Sequence, residues 1–425
     1  MPETPQPFQQ GTAFGPQKQI SGQLIRISDR DGVNNIENGN IVYVLCSEIQ
    51  ANTVIFFNEL VKSGAAAILC DTIGETDHGV LLANEHGVPC FSDIPQSISK
   101  YEGEIMTVEG DSLYLGAPVS KETSTEIPHE NRFPDTNTEI KINLGFPKAL
   151  NRHPKLSEVS DGVGFMRLEF VLLDVLQNIH PKEYINRFGR EELETQLADR
   201  IEPVLEVYSD PVWIRTDDFT RSQLAEMERG DRYEETEKNP MLGWRGIARS
   251  IERPTLYNVQ LGAISRLLER GHENIGLFPP MTRFPSEYIE WRSRAEDAGL
   301  SELSYGTMIE TPAAALTFRE FTEYIDFVVF GSNDLTQFTL AIDRGNKHLS
   351  PKFDEKETAV LKLFEHVISI AKEEGIVTCI GGRAASDEAL GQELLSFGID
   401  ALSVNPDPTT LAKTHQFVNR FEHKN

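Results

Sequence analysis

DFVVFGS (326–332) is a short apolar run that ends in small and polar residues. A run of this kind is typical of a strand that is buried on both faces of a parallel sheet. Downstream lies ETAVLKLFEHVISIAKEEG (357–375), whose apolar residues recur with the helical period, and it leads to a second apolar run, VTCIGG (377–382). The order strand, helix, strand predicts that the two strands run parallel.

The same order repeats from residue 138 to residue 425. The complete set of predicted strands is EIKINLG (139–145), GVGFMRLE (162–169), PVWIRTD (211–217), NIGLFPP (274–280), SYGTMIE (304–310), DFVVFGS (326–332), VTCIGG (377–382) and DALSVNP (400–406). A TIM barrel has eight strands that are each followed by a helix, and this pattern of about 285 residues has that number of strands and a suitable length. The predicted fold class is therefore α/β, with a (β/α)8 TIM barrel over residues 138–425.

The residues before the barrel have a different organisation. Residues 1–18 are rich in Pro, Gln and Gly, which predicts a disordered tail. Residues 19–118 alternate short apolar runs with helical stretches and predict a small α/β domain. Residues 119–137 are polar, contain two prolines and show no periodicity, so we interpret them as a linker.

The overall charge limits the classes of partner. Lys and Arg total 40 against 66 Asp and Glu, which gives a formal net charge of -26. Such acidity argues against a nucleic acid or an anionic membrane surface as a partner, but a local pocket can still bind an anion. The N-terminus lacks the apolar core of a signal peptide, and the four cysteines form no CxxC pair. We therefore predict a cytoplasmic protein with reduced thiols and no membrane association.

Polar side chains collect at the carboxyl ends of the predicted strands, where the active sites of barrel enzymes lie. They are Arg167, Arg215, Asp217, Asp218, Glu310, Asn333, Asp334, Arg344, Asn405 and Asp407. Carboxylates suit Mg²⁺, which keeps waters and completes its shell with substrate oxygens, and arginines bind phosphate and carboxylate through two hydrogen bonds. Structural ion pairs that hold loops are the alternative. The combination predicts a Mg²⁺ site for a small phosphorylated carboxylic acid.

Several long motifs resemble the phosphoenolpyruvate-utilising enzyme family. They are DGVGFMRLEF (161–170), PVWIRTDDF (211–219), NPMLGWRGIAR (239–249), GTMIETPAAAL (306–316), FGSNDLTQFTLAIDRGN (330–346) and SVNPD (403–407). Within the family they are most similar to the phosphoenolpyruvate synthase (pyruvate, water dikinase) branch, and they are also similar to enzyme I of the sugar phosphotransferase system. The resemblance implies a phosphoenolpyruvate- or pyruvate-binding barrel, commonly a homodimer.

The same resemblance implies a role for each matching residue. Glu310 and Asp334 would hold Mg²⁺. The residues implied to bind the phosphate and carboxylate of phosphoenolpyruvate, or to flank its pocket, are Arg167, Arg215, Arg245, Arg249, Asn333 and Arg344, and Arg283 is a further candidate. Arg167 and Arg215 would also take part in catalysis.

TDHGVLLANEHGVP (76–89) resembles the segment of the family's swivelling domain that carries a phosphohistidine. The resemblance places His78 at the phosphoryl-carrying position, and a helix N-terminus there would favour an anionic phosphoryl group. An ordinary surface histidine before a helix is the alternative. The segment departs from the family pattern at Asp77, Gly79 and Asn84.

A larger departure follows the seventh strand, in IGGRAASD (380–387). The family has a catalytic Cys there, which exchanges a proton with the methyl carbon of pyruvate, and Gly381 stands at that position. Cys379 lies two residues upstream, about 6.6 Å deeper along a strand. We therefore expect slow or absent interconversion of phosphoenolpyruvate and pyruvate. No stretch of the chain resembles the family's ATP-grasp domain, so a separate ATP-binding subunit would supply the nucleotide step.

Three functions remain open from the sequence. The first is a phosphotransferase of the pyruvate, water dikinase type, which moves a phosphoryl group between His78 and a pyruvate-like enolate in a Mg²⁺-dependent barrel. The second is a non-catalytic or regulatory protein that binds phosphoenolpyruvate or pyruvate. The third is a Mg²⁺-enolate lyase or aldolase. Replacement of His78 by Ala separates the first from the other two.

Overall fold

The structure of the protein is a computed structural model. It describes residues 7–15, 19–29, 31–46, 53–73, 78–116, 133–147, 150, 154–344, 346 and 348–424. The chain divides into two compact units, Met1–Glu126 and Ile127–Asn425. Within the described residues, no helix is both long and apolar enough to cross a membrane.

The first unit is one mixed eight-stranded sheet with helices. Its strands are β1 (Gln9–Gln10), β2 (Thr12–Phe14), β3 (Ile20–Ile27), β4 (Ile41–Val44), β5 (Ala67–Cys70), β6 (Cys90–Ser92), β7 (Ile105–Glu109) and β8 (Ser112–Leu115). They are ordered β1-β8-β7-β3-β4-β5-β6-β2, and β3 to β6 run parallel. The α-helices of this unit are α1 (Thr53–Lys62) and α2 (His78–Glu85).

Two apolar clusters cover the two faces of this sheet. One joins the sheet to α1 and α2 and contains the buried side chains of Phe56, Phe57 and Val80. The other lies on the opposite face around Tyr43 and Met106. Because β4 and β5 are buried on both faces, they have continuous apolar sequences instead of an alternating pattern.

The prediction of a disordered tail is wrong for residues 9–14, which form β1 and β2. These strands pair with β8 and β6, and their neighbour Phe8 packs edge-on against Tyr101 with ring centroids 5.0 Å apart. Phe14 packs against the apolar cluster that joins the sheet to α1 and α2. Two-residue and three-residue strands bury too few side chains to leave a clear apolar pattern, which explains the error. Residues 1–6 and 16–18 of the predicted tail lie outside the described residues.

The predicted linker ends earlier than expected. Its residues 119–132 lie outside the described residues, but residues 133–137 are part of the second unit and contact its last helix. The backbone carbonyl of Pro134 accepts a hydrogen bond from His415 Nδ1 at 3.1 Å. The backbone N–H of Asn137 donates to Glu422 at 2.8 Å.

The second unit is a closed barrel of eight parallel strands, which confirms the predicted fold class. The strands are β9 (Glu139–Leu144), β10 (Val163–Arg167), β11 (Val212–Arg215), β12 (Ile275–Phe278), β13 (Ser304–Ile309), β14 (Phe327–Gly331), β15 (Val377–Gly381) and β16 (Ala401–Val404). Each strand is parallel to the next, and β16 closes the barrel on β9.

Helices surround this barrel. The α-helices are α3 (Leu168–Leu176), α4 (Pro181–Phe188), α5 (Arg190–Val207), α6 (Arg221–Glu226), α7 (Gly246–Glu252), α8 (Thr255–Glu269), α9 (Pro285–Asp297), α10 (Pro312–Leu316), α11 (Ser332–Leu340), α12 (Thr358–Glu374), α13 (Glu388–Phe397) and α14 (Pro408–Glu422). The 3-10 helices of both units are Asp31–Asn35, Gln96–Tyr101, Leu156–Glu158, Gly230–Arg232, Pro240–Leu242, Phe318–Tyr324, Ser350–Lys352 and Arg383–Ser386.

The interior of the barrel is a packed apolar core. Trp213 and Phe327 stack in it with ring centroids 4.2 Å apart, and Phe278 packs edge-on against Phe327. Gly306 lies directly against the Phe327 ring, where a Cβ would overlap it. Because the interior is filled with side chains, a ligand can bind only at an end of the barrel.

Candidate active site

The predicted site residues converge at the carboxyl end of the barrel. Arg167 and Arg215 are the last residues of β10 and β11. Glu310 directly follows β13, and Asp334 lies in the first turn of α11, which begins where β14 ends. The strand order brings these four side chains to one end of one closed sheet.

Arg245 lies at the centre of the site instead of at its flank. The residue is 2% exposed, and its Nε and Nη2 donate to the two oxygens of Asp218 at 2.9 and 2.8 Å. The same Nη2 donates to Asp334 Oδ2 at 2.7 Å. Burial disfavours the charged guanidinium, but Asp218 and Asp334 outweigh it and raise the pKa of Arg245 well above its usual value. One arginine therefore links the loop after β11 to the helix after β14.

Arg215 forms a second buried ion pair. Its Nη2 donates to the carboxylate of Glu169, in the first turn of α3, and its Nη1 lies 3.7 Å from Asp218 Oδ2. Two guanidiniums contact the Phe165 ring, whose centroid lies 4.9 Å from Arg215 Cζ and 4.7 Å from Arg167 Cζ. Sequence reasoning missed Glu169, although it lies inside the quoted motif DGVGFMRLEF, two residues after Arg167.

Glu310 occupies a position that is unfavourable for a negative charge. It is 3% exposed and accepts a hydrogen bond from the backbone N–H of Met281 at 2.5 Å. Burial, together with the charges of Asp334 and Asp218, raises the pKa of Glu310 to about 8. Asp334 is also buried, and Arg344 Nη2 lies 3.5 Å from its Oδ1.

This arrangement fits a Mg²⁺ ion that binds together with a ligand. In the described part of the chain, no group of three or more His, Cys, Asp and Glu side chains is arranged to hold a metal. Mg²⁺ needs only one or two carboxylates when substrate oxygens and water complete its shell. Glu310 and Asp334 would hold such a cation, and its positive charge would offset the burial and the carboxylate repulsion that together raise the pKa of Glu310.

Arg249 is engaged away from these carboxylates. It donates to Glu234 Oε2 at 3.1 Å, and its guanidinium lies 5.0 Å from the centroid of the Trp244 ring. Arg253 Nη1 lies 3.2 Å from Glu234 Oε1, and its guanidinium also lies 5.0 Å from the Trp244 centroid. We call Glu234, Arg249, Arg253 and Trp244 the Glu234 cluster. The cluster holds the loop that leads to Arg245.

The other predicted residues have more ordinary environments. Arg283 Nη1 lies 3.6 Å from Glu287, and Asp407 caps helix α14 by accepting from two of its backbone N–H groups. Asn405 is exposed and Asn333 is half-buried. Asp217 is buried against Gln260, and burial raises its pKa to about 6 although the hydrogen bond from Gln260 lowers it.

The space beside Gly381 is narrow. A Cβ on Gly381 would lie 3.0 Å from Phe165 Cδ1 and 3.3 Å from Asn143 Oδ1, so these two side chains border the empty position. Cys379 is fully buried in the barrel interior, and burial raises the pKa of its thiol to about 12. Cys379 therefore remains a protonated core residue, as its depth on β15 predicts.

His78 is the first residue of helix α2. Its side chain lies outside the described part of the structure. Its predicted role therefore stays a prediction.

Comparison with known proteins identifies the family. A family model described as the PEP-utilising enzyme, PEP-binding domain matches residues 122–421. The chain belongs to the PEP-utilising enzymes. The resemblance predicted from the motifs is thereby confirmed.

Several relatives are similar along most of the chain. The phosphoenolpyruvate synthase of Pyrococcus furiosus is 35% identical over 411 residues, covering 92% of this chain and 49% of the relative. A probable phosphoenolpyruvate synthase of Methanocaldococcus jannaschii is 36% identical over 357 residues, covering 80% of this chain and 30% of the relative. The phosphoenolpyruvate synthase of Aeropyrum pernix is 31% identical over 371 residues, covering 81% of this chain and 44% of the relative. The chain thus spans half or less of the length of these three relatives.

Proposed function

We propose that this protein is a phosphoenolpyruvate-synthase-like phosphotransferase. It moves a phosphoryl group between His78 and the enolate oxygen of a pyruvate-like acid, which binds at the carboxyl end of the barrel with Mg²⁺. The observation that carries the proposal is the Arg245 bridge between Asp218 and Asp334, beside the buried Glu310, in a PEP-binding domain. This arrangement has the cations and carboxylates that a phosphorylated acid and Mg²⁺ require together.

The charges in the site support joint binding of the metal and the acid. Four arginines (Arg167, Arg215, Arg245 and Arg344) share the site with four carboxylates (Glu169, Asp218, Glu310 and Asp334). A phosphorylated acid adds several negative charges to this nearly balanced set, and a divalent cation offsets two of them. We therefore expect each ligand to bind weakly alone and more tightly in the presence of the other.

The side chains of the site would have different roles. Glu310 and Asp334 would hold Mg²⁺, which when bound supplies positive charge to the oxygens of the acid. Arg245 and Arg215 are fixed by their carboxylate partners and would present guanidinium N–H groups in a set orientation. Arg167 and Arg344 are half-buried, so their guanidiniums can reach phosphate or carboxylate oxygens at the mouth of the barrel.

Phosphoryl transfer from His78 would break its N–P bond and form a P–O bond to the enolate oxygen. When pyruvate is the acceptor, a base must first take a proton from its methyl carbon, and Gly381 offers none. The proposed acceptor is therefore an acid that does not depend on a protein thiol at this carbon. Gly381 also supports a second candidate, a binding or regulatory protein without turnover.

Isotope transfer tests the proposal. The protein is incubated with Mg²⁺ and phosphoenolpyruvate labelled in its phosphate, and acid-labile, base-stable label is measured on the chain. We expect label on the native chain and none on His78→Ala. Phosphoenolpyruvate binding by calorimetry without any label would instead favour the second candidate. A separate ATP-binding subunit, a homodimeric assembly and a cytoplasmic location remain part of the proposal and are not needed for this assay.

A further inference from the structure

Asn143 has a buried oxygen that faces the candidate site. It is the next-to-last residue of β9 and is 3% exposed. Its Nδ2 donates to the backbone carbonyl of Ser403 at 2.9 Å, and this contact fixes which end of the amide points away from β16. Its Oδ1 is buried and has no hydrogen-bond partner within the described residues. A buried acceptor that lacks a donor is unusual in a folded protein and calls for a ligand or water.

The strand register places this oxygen in the floor of the site. Gly381 is paired with Ser403 on one side and with Gly331 on the other, at the carboxyl ends of β15 and β14. A Cβ on Gly381 would lie 3.3 Å from Asn143 Oδ1, and a Cβ on Gly331 would lie 2.7 Å from Glu310 Oε2. Two adjacent glycines therefore leave the floor between Glu310 and Asn143 without side chains.

The spacing suits a small acid. Neighbouring strands lie about 4.8 Å apart. A three-carbon acid held on the Glu310 side can therefore extend over the two glycines and place its far end beside Asn143. The Phe165 ring borders the same space, because it is the other neighbour of the Gly381 position. A ligand atom in this space would contact the apolar Phe165 ring and the hydrogen-bond acceptor Asn143 Oδ1.

The chemistry of that acceptor selects the ligand. An amide oxygen accepts hydrogen bonds and cannot donate them. Ionised phosphate and carboxylate oxygens also only accept, so they cannot pair with it. A methyl or methylene group cannot donate to it in any useful way. A hydroxyl group on the third carbon can donate to Asn143 Oδ1 while its carbon contacts Phe165.

We propose that Asn143 forms a subsite for a hydroxyl group on the third carbon of a three-carbon 2-oxo acid. This inference rests on the proposed function, because it assumes that the acid binds at the Glu310 end of the site. The proposed ligand class differs from pyruvate by one oxygen on the third carbon. This is the carbon that would face the family's catalytic thiol, and Gly381 stands at that position. A site built around a hydrogen bond to a hydroxyl discriminates against the analogue that lacks it.

Calorimetry tests the subsite. Oxalate, pyruvate and 3-hydroxypyruvate are titrated in the presence of Mg²⁺ into the native chain, Asn143→Leu and Ser403→Ala. Ser403→Ala is the matched control, since it removes a neighbouring buried hydroxyl and keeps the carbonyl that holds Asn143. We expect the native chain to bind 3-hydroxypyruvate about ten-fold more tightly than pyruvate. This ratio should fall to about one in Asn143→Leu and persist in Ser403→Ala, with the oxalate affinity changed less than about two-fold in both.

The outcomes separate the subsite from the proposed function. Oxalate binding with equal affinities for pyruvate and 3-hydroxypyruvate in the native chain would overturn the subsite and leave the proposed function standing. Failure of all three acids to bind would overturn both. If circular dichroism shows that Asn143→Leu does not fold, the affinity ratio of the native chain decides, and a ratio of one refutes the subsite.

Discussion

Introducing a thiol at residue 381 should fail to produce proton exchange with pyruvate unless Phe165 is made smaller at the same time. Gly381 does not have a positive φ, so its backbone accepts an L side chain without strain. The obstacle is the Phe165 ring, 3.0 Å from the position of the new Cβ. Nine in ten real Cβ contacts are longer, so the ring must move by a few tenths of an ångström. Its position is restrained by the guanidiniums of Arg167 and Arg215 at 4.7 and 4.9 Å.

The magnitude follows from this geometry. Forcing a side chain into a packed core costs about 1–3 kcal/mol, so Gly381→Cys should lower the free energy of unfolding by that amount. For a domain of this size the loss corresponds to about 2–6 °C in Tm. Phe165→Leu makes room, but it removes an aromatic face from two arginines, each contact contributing about 0.5–2 kcal/mol. The double variant should therefore also be less stable than the native chain, while its thiol has room to adopt a normal rotamer.

Proton exchange is the decisive assay. Nuclear magnetic resonance follows Mg²⁺-dependent deuterium incorporation into the methyl group of pyruvate. We expect the native chain and Gly381→Cys alone to stay near the buffer rate, and the double variant to exceed it by about 10²-fold, the lower range for general acid–base catalysis. Gly381→Ala with Phe165→Leu is the control that adds the Cβ without the thiol. Exchange by the native chain at the rate of the double variant, or a Gly381→Cys variant as stable as the native chain, would refute the reasoning.

Three further variants probe the charges of the barrel. Glu234→Gln should lower the free energy of unfolding by about 3–5 kcal/mol in urea, because it leaves the buried guanidinium of Arg249 without its carboxylate, whereas the exposed control Glu235→Gln should change it by less than about 0.5 kcal/mol. Burial raises the pKa of Asp217 to about 6 from 3.8, so the stability that its proton provides is present below pH 3.8 and is lost as the pH rises through 6. Asp217→Asn should thus be more stable than the native chain by about 3 kcal/mol at pH 7.5 but by only about 0.5 kcal/mol near pH 4, and an advantage independent of pH would contradict this explanation. Arg245→Lys keeps the charge but loses the planar fork, and it should weaken Mg²⁺-dependent oxalate binding by about 10–100-fold in calorimetry, whereas Arg283→Lys should bind oxalate like the native chain.

The barrel could be predicted from the sequence because its strands are buried on both faces. The run DFVVFGS (326–332) contains β14 with one extra residue at each end, since the apolar signal does not mark where pairing stops. Glu310 and Asp334 lie at the ends of predicted strands in the sequence, and this position also predicted that both lie at the carboxyl end of the barrel. The partners of the arginines could not be predicted, because ion pairing depends on how loops fold back. Arg249 illustrates this, since its partner Glu234 lies in a loop without periodicity.

The two arginines of the GWRGIAR motif have separate tasks, and their spacing explains why. Arg245 is the residue directly before α7, and Arg249 lies one turn further along the helix. Arg245 points to Asp218 and Asp334, while Arg249 points to Glu234 and packs on Trp244, the residue before Arg245. The Glu234 cluster therefore fixes the position of Arg245 before any ligand binds. Preorganised charges of this kind act without reorganisation cost when a phosphorylated acid arrives, so the cluster supports the proposed chemistry even though it contacts none of the reacting atoms.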